Sequence, residues 1–520
     1  MAVAPTRRAG RGIGLIALLL ALPLVVVLTA PLHTAAPHWA HVLEHQLWDQ
    51  LGETLALLGI TLALSLLFAV PSAWLVATRE FPGRRILGWA LVLPLAMPTY
   101  IAAFLYAALL GPTGVLSRWL GEHLGWRPDI MDLPGLGLVL ALVLYPYIYL
   151  PARAAFRMGM GLELDAARTL GARGLRRFGR VALPLARPAI AAGALLVAME
   201  TLNDYGAVKY YGIRTLTTGI FRSWSGLYDL GSALRLSLVL LALVGVLLGL
   251  ERLTRRDVRQ GTAQVAATRA PLTGPWRWLA PLLLVLLWTL AAGLPLGRML
   301  ADVTSTTVTV SWKELLPAIG HTGQVAVAAA LVTLGVALLF AYRQRYGNPN
   351  DPAIRLAALG YTVPGAVIAI GVMTLAGIPD RAGWLPFALI GSLPLLTYAF
   401  ALRFLAVGLG PLEGGLRLQR PELDQAARTL GARPFRAFLR VNLPLLRPAL
   451  LAAATLVAID VIKELPLTLI LRPFNFDTLS TKAYELARIE QLREASWPAL
   501  LIVAAGLLPV LLLERMAGRK

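Results

Sequence analysis

Apolar residues run along this chain in long blocks, and polar residues are confined to the segments between them. Each block is about 20 residues long, the length a helix needs to cross a bilayer. The blocks predict helices near residues 12–31, 55–77, 87–110, 134–152, 188–204, 230–250, 276–297, 323–342, 355–377, 384–404, 448–467 and 497–514. The expected fold is therefore an all-α polytopic membrane protein of about twelve spans. One polar segment is written twice. Residues 165–189 read DAARTLGARGLRRFGRVALPLARPA and residues 425–449 read QAARTLGARPFRAFLRVNLPLLRPA, with two-thirds or more of the positions identical. Few other stretches of the two halves match as well.

Arginine crowds alternate loops: Arg79, Arg84 and Arg85; Arg153 to Arg187; Arg252 to Arg259; Arg343 and Arg345; Arg403 to Arg447; Arg515 and Arg519. That is the positive-inside pattern, and it places both termini and both repeat copies in the cytoplasm. An even number of spans separates the copies. The halves are then parallel repeats about an axis along the membrane normal. The boundaries expected are a six-span half at 1–258, a linker at 259–274 and a second six-span half at 275–520.

Composition agrees with this picture. The chain is 57% hydrophobic and only 15% charged, with a mean hydropathy of +0.68, whereas soluble domains carry about 25% charge. The first block follows Arg7, Arg8 and Arg11, as a secretory signal would. No small-residue cleavage site follows it, so an uncleaved first span is expected. The net charge of +20 lies in the loops, so no nucleic-acid partner is expected. The chain has no cysteine, which removes disulfides and thiolate metal sites.

Within the repeated segment, Ala166-Ala167 and Ala426-Ala427 are small helix formers that permit close approach by a partner. Gly171 and Gly431 supply a turn with positive φ between two short helices. Pro184, Pro188, Pro444 and Pro448 punctuate re-entry into the membrane. The product is a helix-turn-helix on the membrane face. Arginines alone would suit anionic headgroups, but lipid binding does not explain the matched Ala-Ala, Gly and Leu-Pro.

This spacing resembles the EAA loop of ABC importer permeases, and two copies in one chain resemble the fused permeases of the ferric iron type. The segments 199–224 and 460–487 are similar to the fifth-span exit and outer loop of that group. The resemblance implies a type I importer permease with no cofactor of its own. It also implies an ABC ATPase subunit, in two copies, and a solute-binding protein outside the membrane as partners, in an inner-membrane lipid setting. By the same resemblance Asp165, Ala166, Ala167 and Gly171, and Gln425, Ala426, Ala427 and Gly431, are the ATPase-coupling residues. The leading Glu of the family is Asp165 in one copy and Gln425 in the other, where Glu422 or Asp424 could substitute. The chain has no Gly-x4-Gly-Lys-Ser/Thr pattern, so ATP hydrolysis is expected on the partner.

A second constellation repeats at the same offset. Glu200 and Asp204 end the fifth span, and Asp460 and Glu464 end the eleventh. Each pair is spaced i, i+4 and shares a helical face. Ionisable groups at membrane depth usually face a cavity or a partner. These four are candidates for a polar ring at the outer end of the pathway, or for structural pairing with Lys209, Lys463 or Arg472. Pro94, Pro98 and Pro364-Gly365 interrupt the third and ninth spans, as helices lining a path often are. His38, His41 and His45, beside Glu44, could align on one helix, but a solvated outer loop needs no ligand and no metal site is expected. Ferric iron is the expected cargo by resemblance; thiamine, phosphonate, polyamine and inorganic anion permeases are related. A proton-coupled secondary transporter is the alternative from another class, and its repeat would be sharpest inside the spans.

Overall fold

The computed structural model describes residues 7–254, apart from 159–162, 164, 165, 168 and 173, and residues 269–517, apart from 306–310, 349, 350 and 385. Among these, nine helices are long and apolar enough to cross a membrane, and two bent pairs raise the number to eleven. Helix Leu492–Ala517 coincides with the twelfth expected span. Many outward side chains on the spans are apolar, among them Leu18, Leu282, Leu286, Val327 and Leu331. Alanines recur at the helix contacts: Ala69, Ala73 and Ala77 on helix Leu47–Thr78, and Ala329, Ala337 and Ala341 on helix Trp312–Tyr346, are buried. Lipid offers no hydrophobic drive between helices, so close backbone approach at small residues supplies the packing.

The third and ninth spans are broken in the same way. Helix Arg84–Ala90 gives way to a 3-10 turn at Leu93–Ala96, and helix Thr99–Leu110 then resumes. Helix Pro352–Ala358 leads to a 3-10 turn at Leu359–Thr362 and then to helix Gly365–Ala382. At each break a residue precedes a proline in extended conformation: Met97 at φ −93°, ψ 125° and Val363 at φ −89°, ψ 129°. Proline's ring excludes the helical region for its predecessor and removes a donor. The fourth span bends by 44° between helices Leu133–Leu144 and Pro146–Met158, and the eleventh by 75° before helix Arg447–Lys463.

The tenth span lies further along the chain than the expected 384–404. Its helix is Leu393–Leu418, started by the Ser392 hydroxyl, which accepts from Leu395 N, and by Pro394 in the first turn. Arg403, grouped with the loop arginines by sequence, is therefore inside a span and 5% exposed. That assignment is corrected.

The two sequence halves are interleaved in space. One apolar core joins the second to fifth spans with Leu284, Ala291 and Met299 of the seventh and Ala499 and Ile502 of the twelfth. The other joins the eighth to eleventh with Ala17, Leu20 and Val27 of the first and Leu236 and Leu240 of the sixth. The first span lies so close to the ninth that a Cβ on Gly371 would stand 2.7 Å from the Pro23 carbonyl oxygen. A short parallel pairing of Arg79–Glu80 with Ala270–Pro271 straps the start of the second half to the first.

Candidate functional site

The repeated loops form matching turns. Helix Pro421–Thr429 ends in the second copy with Ala432 N donating to Ala427 O at 3.0 Å, and in the first copy Ala172 N donates to Ala167 O at 2.9 Å. Gly171 and Gly431 both sit at φ +81°, the left-handed C-terminal cap that glycine adopts without strain. Ala167 and Ala427 are each 8% exposed and pack inward, while Ala166 and Ala426 face out. Beside them Leu170 and Leu430 stand almost bare at 87% exposure each. Gln425 is exposed. Asp165 lies outside the described residues. Glu422 faces outward, but Asp424 does not: Arg345 Nε donates to its Oδ2 at 2.7 Å, and the Tyr346 hydroxyl lies 2.8 Å from its Oδ1. Of the two substitutes for a leading Glu, only Glu422 is available to a partner.

The four acidic candidates of the spans meet in one place. Glu200, Asp204, Asp460 and Glu464 line a single cavity of about 100 Å³ between the two halves, room for several waters. Both proline breaks border it, and Leu95, Pro98 and Thr99 line its wall. Helix Gly365–Ala382 starts beside it and runs for 18 residues, about 27 Å at 1.5 Å per residue. Short helices Gly206–Tyr210 and Leu216–Phe221 continue the chain beyond the fifth span.

Within each pair the two carboxylates do different things. Asp204 and Glu464 each end a long helix in extended conformation and cap the next short one. Asp204 Oδ1 accepts from Ala207 N at 2.9 Å, and Glu464 Oε1 accepts from Leu467 N at 3.0 Å. Thr99 also donates to Asp204, and Arg403 Nε stands 3.6 Å from Glu464 Oε2. Neither Glu200 nor Asp460 has a hydrogen-bond or ion-pair partner among the described residues.

The residues at matched positions 203 and 463 reach across to the opposite half. Asn203 Oδ1 accepts from Gly365 N at 2.7 Å, at the break of the ninth span. Lys463 Nζ donates to Leu95 O at 2.6 Å, at the break of the third. Each frees its partner's broken span from an unsatisfied backbone group, which is costly away from water. Of the pairings considered for the carboxylates, Arg472 serves Asp477 and Glu485 instead, and Lys209 is exposed outside the cavity. Sequence reading missed Arg403, although a charged residue inside an apolar run was the available signal.

His38 does not join His41 and His45. It caps helix Trp39–His45 and turns its ring to Asp229 Oδ2 at 3.3 Å. Burial opposes the charge of Asp229, but hydrogen bonds from Ser232 and His38 outweigh it and hold the carboxyl below its usual range.

The family described as binding-protein-dependent transport system inner membrane component matches residues 65–259 and 334–520. The chain is 25% identical over 457 residues, 86% of its length and 85% of the relative's, to the Fe(3+)-transport system permease protein FbpB 2 of Haemophilus influenzae. It is 33% identical over 166 residues to the sulfate transport system permease protein CysW of Escherichia coli, covering 32% of this chain and 55% of that one. It is 30% identical over 167 residues to the molybdenum transport system permease protein ModB of Escherichia coli, covering 31% and 69%.

Proposed function

The chain belongs to the family of binding-protein-dependent transport inner-membrane components, and from that premise we propose that it imports ferric iron through the cavity between its halves. It is the permease subunit of an ABC importer, a multi-pass protein of the inner membrane. Hydrolysis of ATP falls to a separate ATPase, and a substrate-binding protein delivers the solute. The ferric reading is carried by the likeness to an Fe(3+) permease along both halves. The charge of the cavity supports it: four carboxylates line it against two cations, Arg403 and Lys463. A wall of that sign favours a cation and opposes a dianion. An inorganic oxyanion is the second reading, favoured by the higher identity to the sulfate permease over a shorter stretch. The test is ATP-driven uptake into vesicles holding the permease, its ATPase and its binding protein. Iron(III) uptake is expected; uptake of sulfate or molybdate without iron would overturn the proposal.

The two matched turns, with Leu170 and Leu430 bare beside Gly171 and Gly431, are the docking sites for two ATPase copies in this reading. Closure of the ATPases would move both turns together and shift the cavity from outside to inside access. The turns and both termini lie in the cytoplasm. Cysteines placed at Ala172 and Ala432 should be shielded from an impermeant thiol reagent in intact cells, while cysteines at Thr34 and Glu122 should label. The reverse pattern would invert the topology. The exposed apolar span faces are covered by lipid.

A further inference from the structure

Six acidic or basic side chains line the cavity, and four are already engaged. Asp204 and Glu464 cap short helices. Arg403 stands beside Glu464 and donates from Nη1 to the Val363 carbonyl at 3.0 Å. Lys463 is tied to Leu95 O. The remaining two, Glu200 and Asp460, occupy matched positions in the two halves. Lys463 makes no ion pair within 4 Å among the described residues, yet it lines the same cavity as both of these carboxylates and lies three residues from Asp460 on helix Arg447–Lys463. At the matched position in the first half stands neutral Asn203, so Lys463 has no twin.

The same cavity holds donors without acceptors. The Tyr100 hydroxyl is buried without a hydrogen-bond partner, and so is Arg403 Nε. Such groups call for a ligand or water oxygen. The lining offers carboxylates and the tyrosines Tyr147 and Tyr361, with no histidine, a set suited to hard cations. No group of three or more His, Asp or Glu close enough to hold a metal ion occurs among the described residues. A weak site suits a station on a path, because a conducting site must also release.

We propose that Lys463 is a resident counter-ion of the Glu200–Asp460 pair, which a hard cationic cargo displaces on its way through the cavity. Displacement draws the ammonium from the Leu95 carbonyl and so frees the break of the third span from the second half. Cargo entry and loosening of the interface thereby become one event. The inference rests on the cationic reading of the cargo given above.

The experiment uses the permease with its ATPase in nanodiscs and terbium(III) as the probe, read by tyrosine-sensitised luminescence. Lys463→Met should bind Tb3+ at least about tenfold more tightly than wild type, since a unit charge lining the same partly buried cavity is worth about that much. Lys463→Arg should stay near wild type. Adding Glu200→Gln and Asp460→Asn to Lys463→Met should abolish the gain. An unchanged affinity in Lys463→Met, or a gain that survives loss of both carboxylates, would overturn the proposal. Should Lys463→Met fail to retain the ATPase, Lys463→Gln is read in its place. Failure of both to assemble would make the lysine a fixed structural tie and overturn the exchange. Uptake of sulfate in place of iron by the wild-type importer would overturn the exchange through its premise, whatever the terbium affinities of the variants.

Discussion

The two repeated loops share a turn and differ in what holds it. Gly171 and Gly431 have the same φ, and the leucines before them the same exposure. Behind the turn both use aromatic packing: Phe178 meets Trp74 at 5.3 Å between centroids, and Phe438 meets Tyr342 at 5.4 Å. Among the described residues, only the second adds a buried polar clamp. Asp424 takes Arg345, Tyr346 and Asn442, and Asn442 exchanges hydrogen bonds with Gln419 at 2.8 and 3.2 Å. In the first loop Ala182, fully buried, stands where Asn442 would be. Among the described residues, the outward geometry is duplicated and the polar clamp is not. A partner reading only the outer surface would meet two equal sites carried on unequal mounts.

That comparison breaks first at the glycines. Gly171→Arg and Gly431→Arg each force a side chain into left-handed backbone, at a cost of about 1–2 kcal/mol, and crowd the face beside the exposed leucine. Transport and ATPase co-purification should fall by about tenfold or more in both. A variant that works normally at one site would show that the turns are not equivalent. The next largest effect belongs to the clamp. The side chains of Arg345 and Asp424 are 15% and 13% exposed, so Arg345→Met should cost about 2–4 kcal/mol, part of the penalty for stranding a buried charge. Hydrogen exchange should quicken across residues 421–433 and stay unchanged at 166–172. Equal quickening in both loops would mean that the mounts are coupled. The smallest effect is the mirror experiment. Ala182→Asn places an amide where no clamp residue awaits it among the described residues and should lower stability by about 1–2 kcal/mol. Stabilisation there would reveal a clamp in the first loop as well.

Much of this arrangement was written in the residues. The spans, the repeat and the meeting of Glu200, Asp204, Asp460 and Glu464 followed from apolar run length and from a shared offset, because a parallel repeat places matched residues about one axis. The proline breaks were visible for the same reason that they form: proline forbids helix to its predecessor. Depth was not legible. Run length alone put the tenth span nine residues early at its start (384 against Leu393) and left Arg403 at its very end, where it was grouped with the loop arginines. The division of labour within each acidic pair was also hidden. Whether a carboxylate caps a helix or faces a cavity depends on where the chain turns next, and Asp204 and Glu464 are caps only because helices restart at Gly206 and Pro466. The clamp on Asp424 draws on residues 79 positions apart in sequence, beyond the reach of any local pattern.

The interleaving of the halves sets an order of events at the ribosome. The first span is made at once, but its neighbour, helix Gly365–Ala382, emerges about 340 residues later. At about 5–20 residues per second the wait is roughly 17–70 s. Through that interval the first span sits in the bilayer with lipid where Gly371 will later press against Pro23. A chain cut in the linker would therefore yield an N-terminal piece that inserts but keeps two unmatched spans, the first and the sixth, until the other piece arrives.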